Sequence, residues 1–263
     1  MVSSSAVRVT LLLAMVSAAA AQPSVLLDTM SRELNRNFTV LKEKADPPPY
    51  FLSYEVSDEE SRTVTGTLGA ISRSDRGRER VLDVSVRVGS RQLDNYRQVR
   101  GMRGQSGSGA LLPIEDNANA IQNKLWQETD RAYRNAAERL IRIKTNSQVQ
   151  VAAGDGSDDF SVEQPVVAEE TPPRLRFDEA GWTERIRKLS SHFRDYPEVL
   201  TSQVTVNAQT DTRYFVNTEG SRVVQGRGYA RIIITASAKA ADGTDLSTSE
   251  TFEAVEPSGL PKD

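Results

Sequence analysis

The stretch that most constrains the fold runs from Arg213 to Ser221 and reads Arg-Tyr-Phe-Val-Asn-Thr-Glu-Gly-Ser. Tyrosine, phenylalanine and valine favour a pleated, half-buried strand, whereas asparagine and glycine tolerate the positive φ angles of a tight turn. The pattern predicts a strand that enters a turn at Asn217 to Gly220 and pairs with the strand that follows. A chain containing this hairpin must build an antiparallel sheet.

Several other segments alternate apolar and polar residues, which is typical of strands with one solvated face. In the first half they are 50–56, 62–72 and 81–88, with a turn expected at Ser74 to Arg78. In the second half they are 202–209, 213–217, 229–239 and 247–255, with a turn expected at Asp242–Gly243. These segments predict antiparallel meanders.

Three segments carry apolar residues three and four positions apart, the period of an amphipathic helix. The first runs from Ser24 to Lys44, the second from Asp116 to about Lys144, and the third begins at Asp178. Ser24 and Asp178 are expected to cap their helices. The buried stripe of the second helix is predicted to be Ile121, Leu125, Ala132, Ala136, Leu140 and Ile143. Helices packed on antiparallel meanders predict the α+β class.

The order of the segments predicts two halves, each a helix followed by strands. Residues 22–146 would hold the first helix, the first meander and the long helix, and residues 178–263 the third helix and the later strands. The acidic, proline-containing residues 147–177 lack periodicity and are predicted to link the halves.

Residues 1–21 have the order of a secretory signal peptide. Arg8 supplies a positive charge, Val9 to Val16 form a short apolar run, and Ala19 to Ala21 precede the predicted cleavage site. The apolar run is too short to span a bilayer, and no later segment is long enough either. We therefore expect an exported protein, periplasmic or extracellular, without a membrane span.

Composition excludes several functions. The chain has 33 lysines and arginines against 36 aspartates and glutamates, so no global positive charge attracts nucleic acid. It has no cysteine and one histidine, His192. Thiol catalysis, cysteine–zinc sites and histidine-paired metal sites are excluded, and His192 is interpreted as a structural imidazole.

Four further patterns resemble parts of known sites. Gly104 to Gly109 lacks the lysine and the strand-to-helix setting of a phosphate-binding loop, and Asp155, Asp158 and Asp159 miss the spacing of a calcium loop. The aromatic residues Tyr50, Phe51 and Tyr54 are either a ligand platform or core, and core is favoured. Asn37 matches a glycosylation acceptor but lies within a predicted helix. The residues therefore predict no catalytic, cofactor-binding or metal-ligating site.

Five stretches, in this order and spacing, resemble the N-terminal portion of exported TldD/PmbA-type proteins, a metallopeptidase-related family also described as modulators of DNA gyrase. They are 48–56, 84–89 with 93–95, 125–133, 159–161 and 213–220. The resemblance covers most of the mature chain. It implies the N-terminal part of a longer protein with a role in proteolysis, in which this region pairs protomers and walls a narrow substrate cavity.

Peptidases of that family carry a His-Glu-x-x-x-His zinc motif in their C-terminal half, where two histidines on one helical face share the metal. This sequence has no such motif. The resemblance therefore implies zinc only in a C-terminal domain beyond this sequence, a homo- or heterodimer with a related protein, and a peptide substrate for the whole protein. The alternative is a stand-alone exported domain that binds a partner without catalysis.

Overall fold

The computed structural model describes residues 24–98, 107–149 and 157–261. The helices are α1 (Val25–Lys44), α2 (Ala118–Val149) and α3 (Glu179–Ser191). The strands are β1 (Pro49–Thr67), β2 (Ala70–Val88), β3 (Ala110–Leu112), β4 (Val167–Glu169), β5 (Val199–Asn217), β6 (Arg222–Lys239) and β7 (Asp245–Ala254). The predicted signal peptide lies outside the described residues.

The strands form one seven-stranded sheet in the order β3-β2-β1-β5-β6-β4, and β7 pairs with a different part of β6. Every pairing is antiparallel except that of β4 with β6. The pairing of β1 with β5 joins the strands of both predicted halves in a single sheet. The predicted α+β class is confirmed.

The turn expected at Ser74 to Arg78 is wrong, because the chain reverses at Leu68 and Gly69. Leu68 has φ 47° and Gly69 has φ 79°, the left-handed values that a two-residue hairpin turn needs. The segment predicted over 50–56 and the first part of the segment predicted over 62–72 form one strand, β1, whereas residues 70–72 lie beyond the turn in β2. The segments predicted over 202–209 and 213–217 also form one strand, β5. Since β1 lies between β2 and β5, its polar middle has partners on both sides and the ladder continues.

Helix boundaries follow their caps. Ser24 Oγ accepts a hydrogen bond from the Leu27 N–H at 3.2 Å, and Asp178 Oδ1 accepts one from the Gly181 N–H at 3.1 Å, as predicted. The second helix begins later than predicted because Asn117 Oδ1 accepts from the Asn119 and Ala120 N–H groups. Asp116 instead forms an ion pair with Arg80 at 2.8 Å.

All three helices pack against the same face of the sheet. The first core joins α1 and α2 to one part of that face and includes Leu27, Met30, Leu52, Val86 and Leu125. The second joins α3 to another part and includes Val64, Trp182, Ile186, Val204 and Ile232. The predicted stripe of α2 is buried throughout. Odd-numbered residues in the middle of β1, such as Glu59, point to the opposite, polar face.

The helices of the described residues include none long and apolar enough to cross a membrane.

Candidate functional site

Four of the five stretches that carry the family resemblance, all but 125–133, meet at the open end of the β1–β2 hairpin. Tyr50 is the second residue of β1, Arg87 is the last but one of β2, and Asp94 lies in the turn that follows. Phe160 comes from the segment before β4, and Glu219 from the turn after β5. We call these residues, together with Arg91, Tyr96, Arg97 and Asp159, the Asp94 cluster.

Asp94 is the centre of this cluster and has no exposed surface. Its Oδ2 accepts a hydrogen bond from the Tyr50 hydroxyl at 2.7 Å and lies 2.5 Å from Arg87 Nη1. Its Oδ1 accepts the Tyr96 N–H at 2.7 Å, and its own N–H donates to Asp159 Oδ2 at 2.9 Å. The buried carboxylate is therefore compensated by one cation and two donors.

Arg87 lies between two aromatic rings. Its guanidinium carbon is 4.1 Å from the centroid of the Tyr96 ring and 4.1 Å from that of the Phe160 ring. A register shift between Pro49 and Phe51 brings both Tyr50 and Phe51 against Phe160, with ring centroids 6.1 and 4.8 Å away. The stacked guanidinium is thus held by cation–π attraction and by the carboxylate of Asp94.

Two further ion pairs connect the turn after β2 to distant segments. Arg97 Nε lies 2.9 Å from Asp159 Oδ1, and Arg91 Nη2 lies 2.7 Å from Glu219 Oε1. The Arg91 carbonyl also accepts the N–H groups of Asp159 and Phe160, at 2.7 and 3.1 Å. These contacts fix the segment before β4 and the hairpin after β5 to one turn.

The electrostatics of the Asp94 cluster favour binding and positioning over proton transfer. Burial raises the pKa of Tyr50 far above its ordinary value, and the hydrogen bond to Asp94 raises it further. Tyr50 therefore remains a neutral donor at physiological pH. Because Asp94 and Asp159 each contact an arginine, their charges are already neutralised within the cluster.

A second polar network lies behind β1, within the first core. Thr129 Oγ1 donates to the Leu125 carbonyl at 2.7 Å, so the Tyr54 hydroxyl donates to Thr129, 2.6 Å away. Asn37 Nδ2 donates to the Tyr54 oxygen at 2.9 Å. Burial raises the pKa of Tyr54 to about 12. Tyr54 is core, as predicted, and the buried amide of Asn37 is not an accessible glycosylation acceptor.

The other candidate residues of the sequence lie apart from the Asp94 cluster. His192 is exposed at the start of a short 3₁₀ turn after α3. Residues 104–106 and Asp155 fall outside the described residues. Ser108, at the end of the glycine-rich stretch, donates its hydroxyl to the Leu82 carbonyl at 2.9 Å. Within 24–98, 107–149 and 157–261, no group of three or more acidic or histidine side chains is placed to hold a metal ion.

Asp94 and Asp159 both lie in stretches that carry the family resemblance, but no sequence pattern predicts that they are neighbours. Their contact joins positions that are 65 residues apart. The available signal was local: an aspartate and an asparagine in the turn a few residues after a predicted strand, with Arg91 before them and Arg97 after them. No periodicity relates such positions to one another.

Comparison with known proteins finds structures but no sequence relatives. No family model matches the chain, and no curated protein matches it. A proposed modulator of DNA gyrase from Bacteroides thetaiotaomicron is similar at 9% identity with a TM-score of 0.51, over 89% of this chain and 46% of that one.

Two other solved structures also match. One is a proposed modulator of DNA gyrase from Thermotoga maritima, with 11% identity, a TM-score of 0.48, and coverage of 88% and 44% of the two chains. The other is TldE from Thermococcus kodakarensis, with 9% identity, a TM-score of 0.46, and coverage of 87% and 43%. This chain spans less than half the length of each. The match to the Bacteroides structure confirms, at the level of the fold alone, the resemblance read from the sequence: the chain has the fold of part of a protein described as a modulator of DNA gyrase.

Proposed function

We propose that this chain is the N-terminal, non-catalytic region of an exported TldD/PmbA-type, metallopeptidase-related protein. In that role it pairs protomers and forms one wall of a substrate cavity, while a second domain hydrolyses peptides. The observation that carries the proposal is the fold match over 89% of this chain but only 46% of the Bacteroides structure.

The chemistry of the Asp94 cluster supports a non-catalytic role. Its buried acid is bound to Arg87 and Tyr50, and its second aspartate is bound to Arg97. A general acid or base needs a pKa near the operating pH, whereas the pKa of Tyr50 is moved away from it. The cluster instead makes one end of the sheet rigid, which suits the wall of a cavity.

Peptide-hydrolysis assays test whether catalysis belongs to a second domain and not to this chain. We expect the purified 263-residue chain to leave peptides intact with zinc present. A longer native protein, or a complex with a His-Glu-x-x-x-His partner, should hydrolyse them and lose activity to a chelator. Zinc-dependent hydrolysis by the 263-residue chain alone would contradict the proposal and would also refute the alternative of a stand-alone binding domain.

Pairing and export are tested separately. Sedimentation equilibrium of the exported protein should give a dimer, or a complex with a related chain. Sequencing of the mature N-terminus should begin at Gln22, after removal of residues 1–21. A monomer at high concentration would contradict the proposed pairing, and a retained Met1 would contradict the proposed export.

A further inference from the structure

The edge of β6 is open between two shorter strands. On this edge β4 pairs with Arg222 to Val224, and β7 pairs with β6 from Ala230 onward. Residues 225–229 have no neighbouring strand there. A strand edge that presents unpaired N–H and C=O groups is a template for another extended chain.

The direction of the backbone groups identifies which residues face the opening. The Arg222 N–H donates to the Val166 carbonyl at 2.8 Å, and the Val224 carbonyl accepts from the Glu170 N–H at 3.0 Å, both on this edge. Along a strand, the N–H and C=O groups of every second residue point to the same edge. The main-chain groups of Gly226 and Gly228 therefore point to the same edge of β6 as those of Arg222 and Val224. No hydrogen bond joins the main chains of Gly226 and Gly228 to another described segment across this edge.

Both sides of the opening are anchored in the second core. On one side Phe177 stacks on Trp182, with ring centroids 6.1 Å apart, and Pro173 lies so close to Gly226 that a Cβ there would be 2.1 Å from Pro173 Cδ. On the other side Pro257 is buried and Leu260 is 3% exposed. The segments on both sides of the opening are therefore held in place by packed residues, and the opening is preformed.

Between these sides lies a cavity of about 440 Å³. Its lining comes from 171–176, 255–257 and the β5–β6 residues Gln209, Thr210, Gly228 and Tyr229. This volume is in the range of pockets that hold small ligands or a few side chains.

The charge of the lining favours an acidic occupant. Arg174 and Arg176 are exposed, and no ion pair or hydrogen bond joins either side chain to the rest of the described chain. Glu256 is the one acidic residue of the lining. Two arginines against one glutamate leave the opening positive, and guanidinium groups bind carboxylates through paired hydrogen bonds.

We propose that the open edge of β6 binds an extended, acidic peptide segment by strand addition. The main chain of the peptide pairs with β6 at Gly228, which lines the cavity, and its carboxylates contact Arg174 and Arg176. Peptide binding at this edge requires neither hydrolysis nor a second domain. A test of this binding is therefore independent of a test of the proposed function.

Fluorescence anisotropy with the full chain tests this proposal. The probe is a short labelled peptide of alternating valine and glutamate, and its controls are the same peptide with lysine for glutamate and with alternate amides N-methylated. We expect only the unmodified acidic peptide to bind. Binding of the lysine peptide with equal affinity, or no binding of the acidic peptide at millimolar concentration, would overturn the proposal.

Paired variants locate the site. Arg174→Gln with Arg176→Gln should weaken binding at least tenfold, whereas Arg142→Gln with Arg187→Gln, a charge-matched pair outside the opening, should change it less than twofold. Thermal unfolding confirms that both variants fold. Bound peptide should also slow hydrogen exchange at the Gly228 amide. Equal binding by both variants, or equal binding of the N-methylated peptide, would refute strand addition at this edge.

Discussion

Arg87 Nη1 lies 2.5 Å from Asp94 Oδ2 at the open end of the β1–β2 hairpin. The Asp94 side chain has no exposed surface and that of Arg87 is 15% exposed, so both charges are largely removed from water. Loss of one partner leaves the other charge buried and uncompensated, which costs far more than loss of a surface ion pair.

Asp94→Ala should therefore lower the free energy of unfolding by about 3–5 kcal/mol in urea denaturation. The matched control is Asp130→Ala, which removes an exposed ion pair with Arg134 and should cost less than about 1 kcal/mol. Replacing both members, Arg87→Met with Asp94→Leu, should recover part of the loss. Equal effects of the two aspartate variants would contradict the buried-pair interpretation.

Tyr54→Phe should lower the free energy of unfolding by about 1–3 kcal/mol, because the Asn37 amide and the Thr129 hydroxyl lose a buried partner. Tyr229→Phe is the control, since that hydroxyl bonds Gln209 at the exposed surface. Urea denaturation of both variants near pH 7 gives the comparison. If Tyr54→Phe lowered the free energy of unfolding less than Tyr229→Phe, the claim that the buried hydrogen bonds of Tyr54 stabilise the fold would be wrong.

The same tyrosine predicts a pH dependence. Burial raises the pKa of Tyr54 in the folded protein to about 12, above its ordinary value of 10.0. The folded state therefore holds this proton more tightly, and the resulting stabilisation is complete below pH 10.0 and is lost as pH rises through 12. Thermal unfolding should show the stability difference between the wild type and Tyr54→Phe narrowing across that window. A constant difference would contradict the assigned pKa.

Leu68→Asn should raise the free energy of unfolding by about 1 kcal/mol, because Leu68 has φ 47° and asparagine adopts left-handed angles more readily than leucine. The Leu68 side chain is 47% exposed, so little burial is lost. Leu246→Asn, at a half-exposed position in β7, should give no gain. A rise in melting temperature for Leu68→Asn alone would support the effect of the turn conformation. An equal rise for both variants would mean that asparagine stabilises the protein irrespective of position.

Glu59 lies directly across from Glu79 on β2 and from Asp211 on β5. Burial raises its pKa above 4.5, and the two neighbouring carboxylates raise it further. The charged form is therefore unfavourable in the folded state, and stability is lost as pH rises through the raised pKa.

Glu59→Gln should consequently stabilise the protein at pH 7 by a few tenths to about 1 kcal/mol, the usual size of a like-charge cross-strand effect. The gain should disappear below about pH 4, where the wild-type carboxyl is protonated. Glu198→Gln, at an exposed position, should change stability little at either pH. Urea denaturation at pH 7 and below about pH 4 measures the change in the free energy of unfolding at each pH. A loss of stability for Glu59→Gln at pH 7 would contradict the raised pKa.

The helices were predictable because their buried stripes are local. The stripe from Ile121 to Ile143 follows the helical period and is buried as expected. The Leu68–Gly69 turn was missed because leucine gives no turn signal, whereas the glycine of Ser74 to Arg78 does. In the fold Gly77 pairs with Ser61 inside the β1–β2 ladder. Pairing with two neighbouring strands outweighs local propensity there.

The Asp94 cluster could not be assembled from sequence patterns. Its members come from four segments, and contacts such as that between Arg91 and Glu219, 128 residues apart, depend on the order of strands in the sheet. The opening on β6 could not be predicted from the sequence either, because it depends on where β4 and β7 end along one edge of that strand.

The intact mass of the native protein from its source cells tests the central claim most directly. If the chain is the N-terminal region of a longer metallopeptidase-related protein, the native mass will lie well above 29.0 kDa. A mass slightly below 29.0 kDa, from loss of residues 1–21 alone, would contradict that account and assign the protein to the stand-alone binding domains.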